Sequence, residues 1–194
     1  MIIKNGSVFQ EDGTFEKKDL YVENGKIVSS IDEVTDKTEI DATGLKVLPG
    51  AVDVHSHGAF GHDFSDADVE GLKTILRYEK SHGVTSYCPT SMTLPKEQLL
   101  EIFATAVSAG NAKDQARIVG VNMEGPFIDP DKKGAHVERH IRRPDIAFFR
   151  ECNEKTGHLI KLVTLAPNME GADEFIEELK NEVLEPDMTL HFQP

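Results

Sequence analysis

His55 and His57 stand two residues apart at the end of an apolar run, in LPGAVDVHSHGAFGHDF at residues 48–64. Side chains two apart on a strand share a face, so both imidazoles can turn toward one ion. A pair of neutral imidazoles at that spacing is a platform for a divalent metal. The competing reading makes one of them a hydrogen-bonded structural histidine and leaves the other in solvent. A second strand-like run, VGVNMEGPF at 119–127, carries Glu124 just before Gly125-Pro126. A carboxylate at the end of a buried strand is costly unless a cation or hydrogen-bond donors meet it. On its own Glu124 could equally reach solvent at a turn; beside a His-x-His strand end in one parallel sheet it reads as a third metal ligand.

Downstream, DPDKKGAHVERHIRRPD at 129–145 concentrates Lys132, Lys133, His136, His140, Arg142 and Arg143 in an otherwise acidic chain. A polar loop after a strand end is suited to gripping hydroxyls or an anion. A solvated loop leading into a helix at Pro144 would account for most of the individual cations. His136 is the preferred contact, because Gly134 and Ala135 beside it let backbone approach a ligand. His62 reads as a loop residue past a turn, and His82 as a favourable charge at a helix C-terminus. His158 and His191 have no interpretable context, and Cys88 reads as a small hydrophobe packed beneath a strand end. The sequence contains no GxGxxG, P-loop, GxSxG or CxxC pattern, which argues against dinucleotide, nucleotide and serine-hydrolase chemistry.

The elements that must hold these residues can be read from periodicity and turn signals. MIIKNGSVF, DLYVENGKIVSSI and TEIDATGLKVL, with Asn5-Gly6 and Asn24-Gly25 as tight-turn dipeptides, predict a small antiparallel sheet before residue 48. Strands are then expected in VLPGAVDVHS, GVTSYCPTS, RIVGVNMEG and LIKLVTLAP, with a short fifth at MTLHF. Between them lie helical patterns. DADVEGLKTILRYEKSHG puts Val69, Leu72, Ile75 and Leu76 on one face and stops at Gly83; PKEQLLEIFATAVSAG starts at Pro95 and closes at Gly110. RPDIAFFRECNEKTG and GADEFIEELKNEV complete the set. Alternating strand and helix is the signature of a parallel sheet with helices packed outside, an α/β class. The four βα units read here are about half of the eight a closed (β/α)8 barrel needs.

The chain has 194 residues, with 21 Lys+Arg against 34 Asp+Glu and a formal net charge of -13. That balance argues against generic attraction to nucleic acid or to an anionic membrane. Two cysteines far apart in sequence support neither a disulfide framework nor a thiolate zinc site. With no signal-peptide pattern in MIIKNGSVFQ and no apolar run of spanning length, a cytoplasmic protein is expected.

Together, LPGAVDVHSHG, GVTSYCPTSMT, VNMEGPFIDPDKKGAHV and LVTLAPNMEG resemble the amidohydrolase superfamily and, within it, the N-acetylglucosamine-6-phosphate deacetylases. The His-x-His end alone would indicate only the superfamily; the MEGPF to KGAH block narrows it. The resemblance implies a (β/α)8 barrel with a small β-sandwich domain, residues 1–47 forming part of the sandwich and 48–194 the first half of the barrel. It implies hydrolysis of the acetamide of N-acetylglucosamine 6-phosphate to glucosamine 6-phosphate and acetate. Under it Glu124 is the main metal ligand, and His55 with His57 holds a second ion in members that have one. Ala135, through its backbone, and His136 contact the amino-sugar phosphate. One or two divalent ions (Zn, Fe, Mn or Co) and a homo-oligomer, a dimer in the family, are implied as well.

The sequence departs from the family beyond the fourth strand. A Gly-His-Thr strand end, an HLFNAM-like segment and the Asp that acts as general base have no counterpart, and His191 between Leu190 and Phe192 takes no ligand role. The resemblance therefore covers about half of a family member, and the 194-residue chain alone is expected to be inactive. A cyclic-amide hydrolase such as a dihydroorotase is a second reading, opposed by MEGPF and by the missing strand lysine. A non-catalytic sugar-phosphate-binding or assembly module is a third.

Overall fold

The computed structural model describes residues 1–182 and 189–192, so Met188 of the fifth expected strand and Val183 of the last expected helix lie outside the described residues. The chain divides into two compact units, Met1–Gly50 and a second that begins at Ala51.

The first unit is a five-stranded sheet. β1 (Ile2–Phe9) pairs antiparallel with β2 (Phe15–Glu23), which pairs antiparallel with β3 (Lys26–Val28). Asn24 and Gly25 both take positive φ, 51° and 75°, and make the two-residue turn between β2 and β3 that such a dipeptide favours. The expectation of a purely antiparallel sheet is wrong for the rest: β4 (Glu39–Asp41) and β5 (Lys46–Val47) both run parallel to β1. Asn5-Gly6 is not a turn either. It lies inside β1 at a register shift, where Asn5 takes φ 62° and its amide donates to the Asp19 carboxylate at 2.8 Å. The left-handed geometry that suits a turn serves equally as a bulge, which keeps the strand going.

In the second unit the longer strands are parallel and the helices amphipathic. β6 (Ala51–Ser56) pairs with β9 (Val84–Pro89), and β9 pairs with β10 (Arg117–Ile118). β11 (Val121–Glu124) pairs with β12 (Ile160–Leu165), which pairs with β13 (Thr189–Phe192). A parallel bridge from Thr90 to Asn122 links the two sets. The expected single strand over RIVGVNMEG is interrupted: Val119 donates to the Tyr87 carbonyl, whereas Val121 donates to the Leu159 carbonyl. Gly120 sits at the changeover, where a Cβ would come within 2.7 Å of the Lys161 side chain. The expectation of a loop at His62 is also corrected, because β7 (Gly58–Ala59) and β8 (His62–Asp63) form a small antiparallel hairpin.

Helices α1 (Val69–Ser81), α2 (Lys96–Ala109), α3 (Ile146–Lys155) and α4 (Ala172–Glu182) follow successive strands. α1 buries Leu72, Ile75 and Leu76, and α2 buries Leu99, Ile102, Phe103 and Ala106, the spacing of one helical face. These pack with Tyr87, Met123 and Val163 from the strands into one core. Phe127 extends that core toward the last two helices through edge-to-face contacts with Phe148 and Phe175. All four residues of β11 are buried, as expected for a strand covered on both faces.

α3 starts at Asp145, whose Oδ1 accepts from the Phe148 amide at 3.1 Å. Asp145→Ala strips this cap and should cost about 1 kcal/mol of unfolding free energy in a urea titration. An unchanged midpoint would show that the cap contributes nothing.

Candidate metal centre

β6, β9 and β11 bring the chemistry of the second unit to one place. His55 lies at the end of β6 and His57 just beyond it, while Glu124 ends β11. Asn122, two residues before Glu124 and buried, donates its amide Nδ2 to the Val54 carbonyl at 3.0 Å. That bond ties β11 to β6 beside the two imidazoles.

The His55 Nε2 to Glu124 Oε2 distance is 3.0 Å, and that from His57 Nε2 is 3.1 Å. The two rings stand nearly perpendicular, with centroids 5.5 Å apart. One donor atom from each of the three residues falls within 4.8 Å of the others, and they could hold a metal ion. The sequence expectation that these side chains meet is met geometrically. Glu124 is the most buried of the three, at 10 % side-chain exposure against 33 % for His57 and 40 % for His55.

The hydrogen bonds bear on whether the set suits a cation. His57 Nδ1 lies 3.0 Å from the Thr90 carbonyl oxygen. A carbonyl only accepts, so Nδ1 carries the hydrogen, and in the neutral ring Nε2 presents its lone pair to Glu124 Oε2. Two acceptors facing each other at 3.1 Å need a positive charge between them, either a proton on the ring or a shared metal. Donation of the remote ring nitrogen to a backbone carbonyl is the usual support of a ligating histidine. The donor set of two imidazoles and one carboxylate therefore fits a divalent cation of the zinc type.

Electrostatics agree. Burial pushes the Glu124 carboxyl up, but the contacts from His136 and His57 and the charge of His55 outweigh it, holding the group well below the usual carboxylate range. The His57 imidazole is raised above its ordinary value, chiefly by its hydrogen bond to Glu124, against the opposing effect of burial.

His136 arrives from the 129–145 loop and is 6 % exposed. Its Nδ1 accepts from the Thr93 amide at 3.2 Å, and its Nε2 faces Glu124 Oε1 at 3.5 Å, long for a hydrogen bond. Ala135 beside it is exposed. The cations of this loop are largely engaged in the fold: Arg142 stacks over the Phe148 ring at 4.4 Å, and Arg143 pairs with Glu170 at 2.7 Å. Lys133 reaches the His136 carbonyl at 3.5 Å. Cys88 is buried at the strand end, as expected, and burial pushes its thiol up to about 11. Sequence reasoning missed Thr90 and Thr93, whose backbone groups hold His57 and His136. The polar run PTSMT directly after a strand was the available signal, but a backbone contact leaves no mark on residue type.

No model of a known protein family matches the chain. It is similar to the N-acetylglucosamine-6-phosphate deacetylase of Bos taurus, 33% identical over 188 residues that make up 92% of this chain and 44% of the relative. The enzyme of that name from Bacillus subtilis (strain 168) is 30% identical over 190 residues, 94% of this chain and 48% of the relative. Among solved structures, the deacetylase from Thermotoga maritima superposes with a TM-score of 0.73 at 30% identity, covering 98% of this chain and 47% of that one. The deacetylase from Mycobacterium smegmatis gives a TM-score of 0.78 at 24% identity, a likeness of fold. The chain thus spans about half the length of the relatives it matches.

Proposed function

Because the chain is a homologue of the N-acetylglucosamine-6-phosphate deacetylases over about half their length, we propose that it forms the metal-holding part of a deacetylase site. The reaction is hydrolysis of the acetamide of N-acetylglucosamine 6-phosphate, giving glucosamine 6-phosphate and acetate. The observation that carries this reading is the convergence of His55, His57 and Glu124 at the ends of neighbouring parallel strands. The second unit is then part of a (β/α)8 barrel, whose reactive end is formed by the C-terminal ends of its strands. The first unit, through residue 47, is part of a small β-sandwich. A cytoplasmic homo-oligomer is part of the same proposal.

His55, His57 and Glu124 share a divalent ion (Zn, Fe, Mn or Co), one of the one or two that the resemblance implies. When bound, such an ion supplies the Lewis acidity that activates water and polarises an amide carbonyl. His136, with Nε2–H as its donor, and the backbone of exposed Ala135 hold the sugar. No residue of this sequence is assigned as general base.

The test is calorimetric titration of the zinc-loaded chain with N-acetylglucosamine 6-phosphate, alongside an assay for released acetate. Saturable binding that weakens about tenfold or more in His136→Ala supports the reading, a loss of the size expected when a buried hydrogen bond to a ligand is removed. Acetate release above that of the Glu124→Gln protein would contradict the absence of a base. Sugar-phosphate binding indifferent to metal would favour a non-catalytic binding module, and ring opening of a cyclic amide would favour another amidohydrolase.

A further inference from the structure

We infer that Thr90 and Thr93, at either end of the segment that follows β9, are positioning residues that fix the rings of His57 and His136 in opposite tautomers. The inference rests on the metal-site reading above and adds how that site is armed.

At one end of the segment is an acceptor. The Thr90 carbonyl faces His57 Nδ1 at 3.0 Å and obliges that nitrogen to carry hydrogen, leaving Nε2 to offer a lone pair. At the other end is a donor. The Thr93 amide points its hydrogen at His136 Nδ1 over 3.2 Å, so that nitrogen must be bare and the neutral ring carries its hydrogen on Nε2. Both Nε2 atoms then face the same carboxylate with opposite character. His57 Nε2 turns a lone pair to Oε2 of Glu124 at 3.1 Å, and His136 turns its Nε2–H toward the side of Oε1 at 3.5 Å without a close hydrogen bond. The two oxygens of Glu124 are thereby divided: Oε2 faces the His-x-His pair, and Oε1 faces an N–H that cannot take a cation through the same atom.

The segment is itself held on both sides. Thr90 Oγ1 accepts from the Ser56 amide at 3.2 Å, next to His57, and donates to the Cys88 carbonyl at 3.3 Å. The Ser91 amide donates to the Asn122 carbonyl at 3.0 Å, and Thr93 packs so closely on Gly125 that a Cβ there would lie 2.0 Å from its Oγ1. Thr90, Ser91 and Thr93 are all buried. The acceptor and the donor are thus anchored to the two strands that deliver His57 and Glu124, which makes the tautomers a property of the scaffold.

The test is nitrogen-15 NMR of the histidine-labelled 194-residue chain near neutral pH, without metal and then with added zinc. For His136 a bare, pyridine-like Nδ1 and a protonated Nε2 are expected in both states. For His57 a protonated Nδ1 is expected in both, with only Nε2 changing when zinc is added. Thr93→Ala keeps the amide and should leave the His136 pattern intact. Thr93→Pro removes the amide hydrogen and should shift His136 toward averaged ring nitrogens. A protonated Nδ1 on His136, or a bare Nδ1 on His57, in the wild-type chain overturns the inference, and so does an unshifted His136 in a folded Thr93→Pro protein. Should the Pro variant fail to fold, the wild-type spectra still decide. Absence of any zinc response would sink the metal reading alone, since the metal-free spectra report both tautomers.

Discussion

Glu124→Gln lowers zinc affinity by about 100-fold or more, beyond the 10- to 100-fold range typical of outer-shell changes. The carboxylate is the only anionic member of the set, and both imidazole Nε2 atoms converge on its Oε2 at 3.0 and 3.1 Å. Glutamine keeps the shape but brings a neutral carbonyl oxygen, a poorer partner for a divalent cation. Its amide nitrogen can also turn a donor toward His57 Nε2, where a lone pair is needed. The measurement is competition for zinc with a chromophoric chelator, with circular dichroism to confirm that the variant is folded. An affinity within threefold of the wild type would remove Glu124 from the site.

Gly125→Ala destabilises the second unit by about 2–5 kcal/mol, from left-handed backbone strain together with overpacking. Gly125 takes φ +72°, and a Cβ there would sit 2.0 Å from Thr93 Oγ1 and 3.2 Å from Thr93 Cβ. Neither partner can move freely: Thr93 is buried, and its amide is committed to His136. Adding Thr93→Ala removes the closest atom and should recover part of the loss, while the strain at a positive φ remains. Chemical denaturation of the two variants separates these contributions. A single variant as stable as the wild type would mean that the strand end yields to the added methyl group.

The candidate metal site was legible because its signals are close together in sequence. His55 and His57 declare a shared face through a spacing of two, and Glu124 declares itself as an acid at the end of an apolar strand. The helices were legible for a similar reason: Leu72, Ile75 and Leu76 repeat at helical spacing, and Gly83 and Gly110 mark where the chain leaves the helix at φ 88° and 60°. What was not legible depends on partners distant in sequence. Asn5-Gly6 carries the residues of a turn, and only the pairing of β1 with β2 makes it a bulge. The break at Gly120 is a change of hydrogen-bond partner from Tyr87 to Leu159, some forty residues on. β4 and β5 run parallel to β1 because of where their connections lead, which local alternation does not encode. The roles of Thr90 and Thr93 lie in a carbonyl and an amide that every residue type shares.

The central claim is that His55, His57 and Glu124 share one cation, and X-ray absorption at the zinc edge on the chain loaded with one equivalent tests it most directly. The account predicts stoichiometric binding and a first shell containing two imidazole nitrogens and a carboxylate oxygen, at the roughly 2.0–2.2 Å typical of zinc. It also predicts that the imidazole signal falls by about half when either histidine is replaced by alanine. A first shell without imidazole, or one that is unchanged in His55→Ala and His57→Ala, would contradict it.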